Sequence, residues 1–325
     1  MSDLIQGMQQ EPDIAVAYGP PGIGKSTFAA GSNNPIFVGP ERNGALNANK
    51  LTRSKSHDQL CQQIRDLISG KYDKHNFRTL VLDSVDMHEK VIHEKIVAKE
   101  PGKSMATAMK GFGKAYNFAG TKLYEIRDLM DQLRDKKEMN IIVLGHSIVS
   151  KFEDPMLNIS YDQYEMCLHK TKRVDYNNVF MDWANMVLFL TWENYKVEDG
   201  AGAVSIGKRK ILTEFRPSHY AKNRYNLPYE IEMDSQNPLN TYRMLQNHID
   251  QFYASGMQAN TFQNDFNILV HECKQLMSEV KNENNRPAME QAINQICANA
   301  MINPGENLSN ITVIRDRIKE IVTNQ

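Results

Sequence analysis

The feature that most constrains this chain is a short apolar stretch, Ile14-Ala-Val-Ala-Tyr18, that runs straight into Gly19-Pro-Pro-Gly-Ile-Gly-Lys-Ser-Thr27. Gly19 to Ser26 fits the pattern G-x-x-x-x-G-K-[ST]. Glycines in that pattern let the backbone curl so that successive N–H groups point inward at phosphate oxygens. A helix opening near Lys25 brings its positive end to the same point. Gly19, Pro20, Pro21, Gly22, Ile23, Gly24, Lys25, Ser26 and Thr27 are therefore the expected nucleotide cradle. Lys25 is expected to reach the β- and γ-phosphates of ATP, and the Ser26 hydroxyl to bind Mg²⁺. A Gly/Pro-rich surface turn is the competing explanation. Average composition makes a chance match in a chain of this length about one in a hundred, and the apolar stretch before the loop lowers the odds further.

Such a loop belongs to a layered α/β fold, and the rest of the sequence has that rhythm. Apolar strands are expected at Pro35–Val38, Thr79–Leu82, Ile141–Leu144 and Met186–Leu190. Between them lie helical patterns: His57 to Ser69 with Leu60, Ile64, Leu67 and Ile68 on one face, Val85 to Ala98, and Ala115 to Lys137. Strands alternating with helices indicate a mostly parallel sheet flanked by helices on both faces. From about Pro238 the pattern becomes purely helical and rich in Asn. The expected organisation is a lead-in over 1–12, an α/β core over 13–237 and a small helical C-terminal region over 238–325.

Asp83 follows the buried run Thr79–Leu82, as expected of a second metal ligand beside Ser26. Asp86, three residues on, reads as an ordinary acid in the first turn of a helix. The catalytic base separates the large classes of phosphate-loop proteins. In AAA+ motors a Glu directly follows that Asp; here Ser84 does, which argues against that class. In RecA-like ATPases the Glu sits just past the strand after the phosphate-loop helix, where Glu41 stands after Pro35–Pro40. Such a Glu polarises the attacking water. His146, after Ile141–Gly145, occupies the place of a polar γ-phosphate sensor. Lys222-Asn-Arg224 is similar to the Lys-x-Arg element with which RecA-like ring ATPases reach the nucleotide of a neighbouring subunit. A solvent-facing Glu, a structural His and a basic surface turn are the respective alternatives.

Together, Gly19–Thr27, Glu41, Leu82-Asp-Ser84, Gly145-His-Ser147, Phe152-Glu-Asp-Pro155 and Lys222-Asn-Arg224 resemble a phage-type family of RecA-like ATPases. These are phage nucleotide-binding proteins, some of them single-strand annealing or recombination ATPases. The resemblance spans about residues 13–235. It implies a RecA-like P-loop core and ATP hydrolysis with Mg²⁺. It also implies action on single-stranded DNA and a homo-oligomer with ATP at subunit interfaces, in the cytoplasm of a bacterial host if the chain is phage-encoded.

In RecA-like recombinases a mobile loop after the sensor strand contacts DNA. The matching stretch, Ser147 to Phe180, holds Lys151, Lys170, Lys172 and Arg173 among the aromatics Phe152, Tyr161, Tyr164 and Tyr176. Cations beside aromatics suit single strands, because phosphates take the charge and bases stack on the rings. The acids Glu153, Asp154, Asp162, Glu165 and Asp175 bring the stretch close to neutral. A second basic region, Lys208-Arg-Lys210 with Arg216, Lys222 and Arg224, opposed only by Glu214, is a further candidate for phosphate in DNA or nucleotide, and the lysines of 99–114 are a third.

A formal net charge of −1 supplies no bulk attraction to nucleic acid or membrane. Four scattered cysteines, Cys61, Cys167, Cys273 and Cys297, lack C-x-x-C spacing and read as reduced thiols. The N-terminus lacks the apolar core of a signal peptide, and no apolar run nears the roughly 18 residues that span a bilayer. The acidic C-terminal helices are expected to dock on a partner protein or another subunit. Three other readings share the loop: a replication motor or loader, a nucleotide-gated assembly scaffold with little turnover, and a small-molecule kinase. The last is disfavoured because 99–114 carries lysines but no lid arginines.

Overall fold

A computed structural model describes residues 10–41, 48–154, 158–171, 174–196 and 203–255, with isolated positions 273, 312, 315 and 316. The chain divides into two compact units, Gln10–Asp250 and a second made of Met1–Gln9 with Gln251–Gln325. Beyond residue 255 the helical pattern expected from Pro238 onward lies outside the described residues, apart from the isolated helical positions.

The first unit is built on one sheet. Its strands are β1 (Ile14–Gly19), β2 (Pro35–Val38), β3 (Asn49–Lys50), β4 (Thr79–Asp83), β5 (Asn140–Asp154), β6 (Ile159–Met166), β7 (Met186–Lys196), β8 (Ala203–Leu212) and β9 (Glu230–Glu232). They lie in the order β3-β2-β4-β5-β1-β7-β8-β9, with β6 paired to β5 alone. Neighbours from β3 to β7 are parallel, and β8 and β9 are antiparallel additions at the edge. Helices α1 (Lys25–Ala30), α2 (His57–Ile68), α3 (Val85–Val97), α4 (Lys114–Lys137) and the short α5 (Asn177–Met181) lie between the strands in the chain.

Strand alternation explains the two layers. Ile14, Val16, Tyr18, Leu80, Leu82, Ile141 and Val143 join one core cluster with Leu60, Ile64, Leu123, Ile126, Met130 and Leu133 of α2 and α4. The intervening Ala15, Ala17, Val81, Ile142 and Leu144 are buried as well. A helix over 240–255 supplies Tyr242, whose ring lies 5.4 Å from Phe28 of α1. A sheet apolar on both faces needs cover on both, and its strands read as continuous apolar runs for that reason. Among the described residues no helix is long and apolar enough to cross a membrane.

The structure departs from expectation at β5. Residues 147–154 do not form a loop. They continue β5 beyond the sheet and pair antiparallel with β6, from Ser147 opposite Met166 to Asp154 opposite Ile159. This arm mixes polar and apolar residues without a period and has both faces partly in solvent, so it lacks the unbroken apolar signature of the strands inside.

Candidate active site

In a parallel sheet the ligand crevice lies at the C-terminal strand ends, and the order of strands decides which residues meet there. Here β5 lies between β1 and β4. Gly19 at the end of β1 pairs with His146, and Asp83 at the end of β4 pairs with Leu144. His146 is thus carried between the phosphate loop and Asp83. The sequence-expected residues Lys25, Ser26, Asp83, Glu41 and His146 share one end of the sheet.

The loop is shaped by its glycines. Gly22 and Gly24 have φ of 78° and 107°, in the left-handed region. Lys25 is buried, and its Nζ donates to the carbonyls of Gly19 and Pro20 at 2.9 and 3.0 Å. Burial holds this ammonium below the usual lysine range, against the pull of Asp86, Asp83 and Glu41. Ser26 Oγ donates to Asp83 Oδ2 at 2.8 Å. Two oxygens in adjacent positions around Mg²⁺, each about 2.1 Å from it, stand about 3 Å apart, so this pair fits such an ion. Burial, partly offset by the Ser26 bond, raises the Asp83 carboxyl above its usual range, and Glu41 adds to the rise.

Glu41 reaches Asp83 because the chain leaving β2 is pinned. Its backbone N–H donates to the Asp83 carbonyl at 3.2 Å, and Ser54 N–H donates to the Gly39 carbonyl at 2.9 Å. Arg53 Nε donates to the Pro40 carbonyl at 2.6 Å. Gly39, with φ 126°, is where the approach is closest: a Cβ there would stand 2.5 Å from the Asp83 carbonyl oxygen. Glu41 and Asp83 then line one small cleft together with Val38, Lys50 and Leu51. The peptide between Asp83 and Ser84 is cis.

Asp86 is not the ordinary first-turn acid that its position suggests. It is buried, and it accepts the His146 backbone N–H at 3.1 Å and bonds His146 Nδ1 at 2.9 Å. Burial alone would raise its carboxyl; the bonds from His146 overcome that and hold it below the usual range. A neutral His146 that donates Nδ1–H to Asp86 keeps Nε2 as an acceptor. Spacing gave no hint of this pair, because 60 residues separate its members.

Arg209 is a second residue whose position the sequence conceals. It sits on β8 opposite Trp192. Its Nη1 donates to the Ile23 carbonyl at 3.3 Å and stands 3.0 Å from where a Cβ on Gly24 would be. Its neighbours on the strand behave differently: Lys208 and Lys210 pair with Glu232 and Glu230. Among the described residues Arg209 pairs with no carboxylate. Strand alternation thus separates one loop-facing cation from a run that reads as a uniform basic patch.

The remaining expected residues are not at this crevice. Lys222 pairs with Val187, and its Nζ donates to the Asp182 carbonyl at 3.1 Å, ahead of β7 and away from the loop end at Leu190. Arg224 is exposed close by. Lys151 is exposed on the β5–β6 arm opposite Asp162. Lys170 is engaged by Glu165 at 2.6 Å. Lys172 and Arg173 lie outside the described residues.

The fold and this constellation define a nucleotide-binding P-loop ATPase core. Residues 11–225 match the family described as AAA domain, and the chain belongs to that family. No curated protein matches the chain. Ser84 after Asp83, which argued against the AAA+ motors, therefore does not place the chain outside an AAA-type family. Glu41 stands beside Asp83 in space, its backbone N–H on the Asp83 carbonyl.

Proposed function

We propose that this AAA-domain protein hydrolyses ATP by a RecA-like arrangement and couples that hydrolysis to single-stranded DNA. The observation that carries the hydrolytic part is the convergence of Lys25, Ser26, Asp83, Glu41 and the Asp86–His146 pair at the ends of four strands. The backbone of Gly19–Thr27 and Lys25 bind the phosphates. Ser26 and Asp83 hold Mg²⁺, which neutralises charge on the phosphate oxygens when bound. Glu41 takes the proton of the attacking water. His146, held by Asp86, orients that water or the terminal phosphate. Arg209 exchanges its bond to the Ile23 carbonyl for one to the phosphate chain, where a guanidinium offsets negative charge.

The DNA part rests on the continuity of β5. One strand carries His146 inside the sheet and Ile148 to Asp154 in the arm. Ile148, Val149, Ile159 and Tyr164 of this arm are exposed, and the Phe152 and Tyr161 rings lie 5.4 Å apart. Tyr18, directly before the phosphate loop, donates its hydroxyl to the Tyr220 carbonyl at 2.5 Å, and the Tyr164 carbonyl of the arm lies 3.1 Å from the same oxygen. Because Lys170 is already neutralised, recognition relies on stacking more than on charge. Lys222 and Arg224, turned from their own loop, are assigned to a neighbour's nucleotide in an oligomer.

The test is ATP turnover by the full chain with and without single-stranded DNA, with Lys25→Ala as the blank. Turnover that Lys25→Ala abolishes and DNA accelerates supports the whole reading. Nucleotide binding without turnover transfers the assignment to a nucleotide-gated scaffold. Turnover indifferent to DNA removes the arm's role and leaves the ATPase.

A further inference from the structure

Away from the phosphate loop, α2 and α4 bring three metal-ligating side chains together. His57 and Cys61 lie four residues apart on α2, hence on one face, and Glu125 faces them from α4. His57 Nε2 stands 3.1 Å from Glu125 Oε2 and 3.3 Å from Cys61 Sγ. All three ligand atoms fall within 4.8 Å of one another. Around a tetrahedral zinc ion, bonds of about 2.0–2.3 Å put neighbouring ligand atoms about 3.3–3.5 Å apart. The three side chains already have nearly that spacing.

The surroundings complete the pattern. His57 Nδ1 lies 3.2 Å from Nε2 of the fully buried His88. A proton on His57 Nδ1, shared with His88, leaves the Nε2 lone pair turned toward Cys61 and Glu125, the tautomer that a metal requires. His88 Nδ1 has no hydrogen-bond partner among the described residues, so little else accounts for this buried ring. Glu125 is about one-third exposed, which leaves the fourth position open to solvent. Opposing charge is present too: Lys122 and Arg65 reach the Glu125 carboxylate at 2.8 and 3.3 Å, while Asp58 on α2 adds a negative charge.

We propose that His57, Cys61 and Glu125 form a binding site for a zinc-type divalent ion at the α2–α4 interface, with His88 as a positioning residue and water as fourth ligand. Binding exchanges the Cys61 thiol proton for a metal–sulfur bond and releases that proton to solvent. Burial pushes the Cys61 thiol up to about 12, so this proton is displaced by the ion rather than lost beforehand. Lys122 must swing from Glu125 as the ion enters, which makes it a competitor. This site is independent of the ATPase assignment.

Titration of the full chain with Co²⁺ tests the proposal, because a cobalt–thiolate bond absorbs in the near ultraviolet and tetrahedral cobalt gives intense visible bands. Cobalt held by Ser26 and Asp83 has oxygen ligands only and shows neither. The expected result is one equivalent of tetrahedral, thiolate-bound cobalt that Zn²⁺ displaces. Cys61→Ser should remove the thiolate band with helicity unchanged, and Cys167→Ser should leave it. His88→Ala should weaken binding by about 10–100-fold. Lys122→Met should tighten it, an outcome that a purely structural cluster does not predict. Absence of the thiolate band, its survival in Cys61→Ser, or weaker binding by Lys122→Met would overturn the site.

Discussion

The most informative substitution is Asp86→Asn, because it leaves shape intact and changes one proton. Asp86 is 4% exposed and accepts two bonds from His146, one from the backbone N–H at 3.1 Å and one at Nδ1 at 2.9 Å. An asparagine has one oxygen. Kept on the backbone N–H, it turns its NH₂ toward Nδ1, which must then accept, so the ring proton moves to Nε2. The face that His146 presents to the phosphates changes from acceptor to donor. Replacing two charge-assisted bonds by neutral ones costs about 1–3 kcal/mol of stability, which lowers Tm by several degrees in a unit of this size. The catalytic effect is separable from that loss. Misdirecting a group that orients the nucleophile lowers turnover by about 10²–10⁴-fold, while ATP affinity, set by the loop and Lys25, changes little. Steady-state kcat and an independent nucleotide Kd, both measured well below the variant's Tm, distinguish the two effects. A kcat within about twofold of the parent would refute the role given to the Asp86–His146 pair.

Three further outcomes follow from the geometry. Gly39→Ala places a Cβ 2.5 Å from the Asp83 carbonyl oxygen at a φ of 126°; the shift needed, close to 1 Å, should lower kcat on the order of 10²-fold, and unchanged turnover would contradict the pinning of Glu41 against Asp83. Arg209→Ala should weaken ATP binding or turnover by about tenfold or more and leave stability nearly unchanged, as its bond to the Ile23 carbonyl is a long one at 3.3 Å; parental kinetics would return Arg209 to the edge of the sheet. Burial pushes the Glu89 carboxyl up to about 7 from 4.5, so the unfolded chain loses this proton first and stability falls as pH rises from about 4.5 to about 7. Glu89→Gln should remove about 1–3 kcal/mol of that fall, read as the difference in urea midpoints between pH 5 and pH 8; an equal fall in both proteins would refute it.

Much of the α/β layering was legible, because strands buried on both faces must be continuous apolar runs and helices packed on them must show a 3.6-residue stripe. The bounds of α2 and α4 differ from expectation by one residue each, His57–Ile68 and Lys114–Lys137. The phosphate loop, Glu41, Asp83 and His146 were legible because each stands at a strand end that the pattern locates. Asp86 and Arg209 were not. An acid at the second position of a helix and the middle member of a Lys-Arg-Lys run both have ordinary local explanations, and only the placement of β5 beside β1 and of β8 beside β7 shows what they face. The β5–β6 arm was misread as a loop, since neither of its faces is fully buried and no apolar period marks it.

These corrections mostly concern one path through the molecule. Two of the features that local pattern did not place, Asp86 and the arm, attach to β5; Arg209 stands apart on β8. Asp86 on α3 grips His146, and eight residues beyond His146 the same strand ends in the arm at Asp154. A strand extending from a sheet is stiff along its length, so in the proposed reading a displacement of His146 on departure of the terminal phosphate would be transmitted to the arm. The reverse holds by linkage: a ligand that prefers one setting of the arm must shift the nucleotide equilibrium by the same free energy. Substitutions that disrupt the arm alone test this. Phe152→Ala removes one ring of the half-buried Phe152–Tyr161 pair, which lies on the arm and not in the phosphate loop. If the arm reports on the nucleotide, Phe152→Ala abolishes the acceleration of turnover by single-stranded DNA and leaves basal turnover intact. If acceleration persists at the parental level, the strand is only a scaffold for His146, and the coupling assigned to it is wrong.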